Sequence, residues 1–122
     1  MPTEESIAKG TGVLDKLFGW KIDPKTVTQP FNRITMGNLF GDVWTRPELA
    51  IEQRSMITVA ALIVLGRESE LRMHLRGALN VGITRVQIEE MILHLAHYGG
   101  WPVAATATRI AQEVFAEIDA GK

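Results

Sequence analysis

Cysteine is absent from this chain of 122 residues. That removes disulfides, thiolate metal ligands, cysteine nucleophiles and dithiol redox cycling at one stroke. Excess charge is missing as well: 13 Lys and Arg stand against 14 Asp and Glu, for a formal net charge of −1. No broad positive field therefore draws nucleic acid. The apolar run from Ser55 to Gly66 falls short of the roughly 20 residues that cross a bilayer, so no membrane association is expected. Residues Met1 to Ser6 have neither the basic start nor the apolar stretch of a secretory signal, and the expected location is the cytoplasm. A phosphate-cradling glycine loop, a nucleophile elbow and a dinucleotide fingerprint are all lacking.

What is present is an ordinary globular composition, 46% hydrophobic and 22% charged, in a length that suits one domain, residues 1–122. The periodicity is helical nearly throughout. Thr3 reads as an N-cap with Glu4 and Glu5 at the positive helix end, and that helix runs to Phe18 before Gly19. Gly10 and Gly12 weaken it by about 1 kcal/mol each. Asp23 to Pro30 reads as a connection, because a residue before proline resists helix. A short helix is expected over Phe31 to Phe40, stopped by Gly41.

Thr45 and Glu48 have capping-box spacing around Pro47, which predicts a helix from there to Leu65 with Gly66 as its left-handed cap. Its second half, Met56 to Leu65, is apolar on every side and needs covering on every side. Association between copies is expected to cover part of it; the alternative is a central helix wrapped by its own chain. Further helices are predicted over Glu68–Asn80, from the Thr84/Gln87 capping box to Gly99, and from Pro102 onward. The second of these carries the stripe Ile88, Met91, Ile92 and Leu95; the last turns Val103, Ala107, Ile110, Val114 and Ile118 inward. Five or six helices joined by short turns make an all-α subunit.

Among side chains that carry chemistry, only histidine ordinarily titrates near neutrality. His74 lies at the edge of an apolar stripe, one turn after Glu70 on the same side. A carboxylate there orients the imidazole and raises its pKa, as suits an acid–base group. The plain alternative is a half-buried histidine with a surface ion-pair partner. Glu90, His94 and His97 share one side of their helix at spacings of four and three. No obvious further ligand accompanies them, so no metal is expected. Tyr98 either donates a hydrogen bond from a pocket wall or simply packs. Arg33, Arg46, Arg54, Arg67, Arg72 and Arg76 are candidates to grip a carboxylate with the planar guanidinium. Trp44 and Trp101, each just before a predicted helix, line either a cavity or a core. Ser55 has no base adjacent in sequence, which makes it a poor nucleophile candidate.

The runs Phe40–Pro47, Arg54–Leu62, Glu70–Asn80, Gly82–Thr84 and His94–Ala104 resemble, in order and spacing, the carboxymuconolactone decarboxylase family over about residues 30–118. The resemblance implies an all-α subunit that assembles into a ring, as a trimer or hexamer. A related branch, the alkylhydroperoxidase proteins, pairs Cys-x-x-Cys with a histidine four residues on and a glutamate twelve residues upstream. With His74 aligned, Arg67 and Glu70 stand at the cysteines and Ser55 at the glutamate, so thiol peroxidase chemistry is not expected.

The decarboxylase branch converts γ-carboxymuconolactone to β-ketoadipate enol-lactone in aromatic catabolism, without a cofactor. The roles this implies are His74 as acid, Glu70 orienting it, and Arg46 or Arg54 holding a carboxylate of an acidic lactone. Trp44, His94, Tyr98 and Trp101 would line the pocket near a subunit interface. Trp101, in Gly99–Pro102, stands where dedicated decarboxylases carry a smaller residue. A cofactor-free lyase or isomerase acting on another acidic lactone, enone or keto compound is therefore the alternative. A non-catalytic oligomeric partner is a second.

Overall fold

A computed structural model describes residues 2–122. Among these, every regular element is helical, as the periodicity requires. The chain divides into two compact units, the first ending at Arg54 and the second running Ser55–Lys122.

The first unit begins with α1, Glu4–Phe18, whose start and stop fall where the capping residues predict. The Thr3 hydroxyl accepts from the Ser6 N–H at 3.0 Å, and the Ser6 hydroxyl accepts from the Thr3 N–H at 2.9 Å. Two of the helix's orphan donors are thereby satisfied. Gly19 closes the helix with a φ of 74°, which costs glycine nothing.

A 3-10 turn, Pro24–Thr26, leads to α2, Pro30–Ile34, which runs on into a π-helical stretch, Thr35–Val43. The expected stop at Gly41 is therefore corrected: the helical path continues through it. The reason is packing. A Cβ on Gly41 would lie 2.0 Å from the Ser6 carbonyl oxygen, and one on Gly10 would lie 1.7 Å from that of Met36. Both glycines bring α1 and the π-helical stretch into backbone contact, so Gly10 is a packing residue and not merely a weak point in α1.

The helix that follows, α3, spans Ile51–Leu65 and starts later than its expected cap at Thr45. The Thr45 hydroxyl is engaged elsewhere, donating back to the Gly41 carbonyl. The reciprocal cap comes instead from Gln53, whose Oε1 accepts from the Ala50 N–H at 2.8 Å. Only Ser55, Val59 and Ile63 of α3 are buried. Ile57 is 56% exposed and Leu65 66% exposed. The alternative of a helix wholly wrapped by its own chain is thus not what the fold adopts.

The second unit continues with α4, Glu68–Asn80, then α5, Arg85–Gly99, and α6, Trp101–Asp119. Thr84 and Gln87 form both halves of the predicted capping box on α5. One apolar core joins Val59 and Ile63 of α3 with Leu71 and Leu75 of α4, Ile88 and Ile92 of α5, and Ile110 and Val114 of α6. Val103 and Ile118, expected inward, are half-buried at its margin.

Outside the core, ion pairs tie α6 to its neighbours. Arg72 bonds Glu113 and Glu117, Arg76 reaches Glu117 at 3.0 Å, and Arg109 reaches Glu68 at 3.0 Å. Arg85 pairs with Asp119 at 2.6 Å and lies over the Phe115 ring.

Candidate active site

Helix α4 fixes His74 in the same register as Leu71, Leu75 and Ala78, all of which face the core. The side chain is buried, with 8% of its surface exposed, more deeply than a surface ion pair would need. Burial disfavours the imidazolium, and this outweighs the nearby Glu70 charge, so the pKa falls below the ordinary 6.5. Glu70 does pull the pKa upward, as expected, but its pull is the smaller of the two and the net shift is downward. Glu70 is exposed and accepts from the Ser69 hydroxyl at 2.6 Å, so much of its field is spent in solvent.

A stability consequence follows. Between the folded pKa and 6.5 the unfolded chain binds more protons at this position than the folded one. Stability therefore declines as pH drops through 6.5 towards the folded value. Thermal midpoints measured from pH 7.5 down to 5 should fall more steeply for the wild type than for His74→Gln. Parallel curves would mean that the imidazole is not held neutral by burial.

On α5, His94 lines a groove of about 420 Å³ floored by Met56 and Ala60 of α3 together with Met91 and Leu95, with Glu90 on its polar edge. His94 stacks on Tyr98 at 5.1 Å between ring centroids, and Tyr98 is 78% exposed. His97 turns away: its Nδ1 lies 3.0 Å from the Leu93 carbonyl, and its ring meets Trp101 edge-on at 5.7 Å. Trp101 borders a separate cleft of about 200 Å³ over Ala96, Ala104 and Ala105. No group of three potential metal ligands comes together among the described residues.

The second unit thus brings His94 and Tyr98 together and pairs Trp101 with His97. His74 faces the core and is not part of either lining. In the first unit, Trp44 is buried against Phe40, 5.5 Å between ring centroids. Arg54 there donates to the Arg46 carbonyl at 3.1 Å, and Arg46 reaches Glu48 at 3.4 Å. Of the other arginines weighed, Arg33 is paired with Glu4, Arg72 with Glu113 and Glu117, and Arg76 with Glu117. Those three are occupied holding the chain's own carboxylates.

The full burial of Ser55 and the groove floored by Met56 and Met91 are scarcely legible from residue order. Because α3 is apolar on nearly every side, it has no contrast from which to read a buried face. The only clue was the four-residue spacing of Ser55, Val59 and Ile63.

A 4-carboxymuconolactone decarboxylase of Acinetobacter baylyi is 43% identical over 90 residues, which cover 74% of this chain and 67% of that protein. Nitrosuccinic acid decarboxylase npaB of Metarhizium robertsii is 35% identical over 96 residues, covering 78% of this chain and 67% of that protein. With residues 29–113 matching the family's description as well, the chain belongs to the carboxymuconolactone decarboxylase family, on the side of it that works without cysteine.

Proposed function

We propose that this protein is a decarboxylase of small dicarboxylic acids and that 4-carboxymuconolactone is its substrate. The observation that carries the reading is His74, a buried imidazole on a rigid helix facing an apolar core, in a family with two decarboxylase relatives. The chemistry asks little beyond such a group. The carboxylate that leaves 4-carboxymuconolactone is conjugated through a double bond to the lactone carbonyl, which accepts the electron pair left behind by carbon dioxide. The substrate is its own electron sink, so no cofactor is called for. The protein must bind two carboxylates, stabilise negative charge on oxygen, and deliver one proton to carbon.

His74 delivers that proton, and Glu70 biases its imidazole towards the charged form. Arg46 or Arg54 anchors a carboxylate; the Arg46 pair with Glu48 is exposed and open to exchange with a substrate carboxylate. His94, Tyr98, Trp101 and Trp44 would contribute walls to a pocket near an interface between copies of the chain. Copies of the chain associate as a trimer or hexamer, a reading supported by the apolar surface left at Ile57, Leu65, Leu93 and Trp101. Arg54→Ala is expected to raise KM for the dianionic substrate by about 10- to 100-fold, the worth of a charge-assisted hydrogen bond. An unchanged KM would exclude Arg54 as an anchor.

The Metarhizium relative favours a second substrate. In nitrosuccinic acid a nitro group takes the place of the lactone carbonyl as electron sink, and the proton again goes to carbon. Purified protein incubated with each acid in the presence of a chelator, with carbon dioxide collected, tests both. Release from 4-carboxymuconolactone with formation of the enol-lactone is expected; no release from either acid would contradict the decarboxylase reading.

A further inference from the structure

We propose that the Ser55 hydroxyl is the hydrogen-bond donor that receives the enolate oxygen formed as carbon dioxide leaves; this rests on the decarboxylase reading above. Ser55 is 0% exposed, and its Oγ has no hydrogen-bond partner among the described residues. A helical hydroxyl normally returns to a carbonyl three or four residues back. Thr11 does so to Ala8 at 2.9 Å, Thr35 to Phe31 at 2.8 Å and Thr108 to Ala104 at 2.9 Å. Among the described residues, Ser55 is a fully buried polar side chain whose hydroxyl does not make that return bond. An alanine would fill the position without a stranded hydroxyl, so packing does not explain the serine.

Its location matches the missing part of the chemistry. Ser55 extends the Val59–Ile63 stripe of α3, which packs in the same core as Leu71 and Leu75 of α4. His74 is the other buried polar side chain of this unit. Acid and donor therefore lie on successive helices and face one apolar core. A donor with no bond to break is already prepared for charge that appears only in the transition state, and in an interior without water its effect is large.

The step balances as follows. The bond between carbon and the carboxylate breaks, carbon dioxide departs, and the electron pair moves through the double bond onto the carbonyl oxygen. Ser55 donates a hydrogen bond to that oxygen and keeps its proton. His74, held as the imidazolium by the bound dianion, gives an N–H proton to carbon as the pair returns and becomes neutral imidazole, which solvent reprotonates.

The test compares carbon dioxide release and thermal midpoints for the wild type, Ser55→Ala and Ser55→Cys. Ser55→Ala should fold with a Tm at or above that of the wild type, lose about 100-fold in kcat, and keep KM within about threefold. Ser55→Cys, a weaker donor of similar size, should fall between. A kcat within about twofold of wild type, or a loss confined to KM, overturns the proposal. So does a fall in Tm that accompanies the loss of activity, since Ser55 would then be holding the fold. A wild type inactive on both acids overturns the decarboxylase reading and this inference with it. An active wild type matched by Ser55→Ala overturns this inference alone.

Discussion

Replacing His74 by glutamine is expected to lower turnover by about 10²- to 10⁴-fold, the usual worth of a positioned acid, with helix content and association unchanged. Glutamine keeps a polar side chain of comparable length on the core face of α4 but has no proton to give to carbon. The loss should appear in kcat and kcat/KM alike, because the group acts when the carbanion is quenched and not when the substrate binds. Burial holds the His74 pKa below 6.5, so at neutral pH the free protein carries a largely uncharged imidazole. A dianionic substrate supplies the missing anionic neighbours and draws the pKa up again. Binding should accordingly take up a proton, measurable as a buffer-dependent heat in calorimetry, and the His74→Gln variant should not show it. Turnover near normal in the folded variant would remove His74 from the mechanism.

The second large effect concerns two glycines two positions apart on α1, for which helix propensity predicts the same outcome and packing predicts opposite ones. Alanine at Gly12 meets nothing within 4 Å and should stabilise the helix by up to about 1 kcal/mol. Alanine at Gly10 would place its Cβ 1.7 Å from the Met36 carbonyl oxygen, where neither backbone can yield without opening the unit. A cost of at least about 3 kcal/mol is expected, more than ordinary overpacking. Urea midpoints of the two variants should move in opposite directions. Midpoints rising together would mean that the close approach of α1 to the π-helical stretch does not hold in solution.

The same pair shows what could be read in the sequence. Caps are local, so Thr3, Gly19, Gly66, and the Thr84 and Gln87 pair marked helix ends correctly. Thr45 misleads because its hydroxyl has two local uses, and it donates to the Gly41 carbonyl one turn back instead of capping the N–H groups ahead of it. Gly10 and Gly41 read as weakness and stop because a glycine's reason lies in the backbone facing it, which no local pattern reveals. His74 was legible as a polar interruption of an apolar stripe. The sign of its pKa shift was not, since that depends on how deeply the core closes around the ring.

The most direct test of the whole account is the pH profile of kcat/KM for carbon dioxide release from 4-carboxymuconolactone, measured for the wild type and His74→Gln. The wild type should lose activity as pH rises, through a midpoint below 6.5 that reports the free imidazole, and the limb for kcat should lie at higher pH. The residual activity of His74→Gln should lack that limb. Profiles of the same shape and height in both proteins would contradict a buried imidazole as the source of the proton.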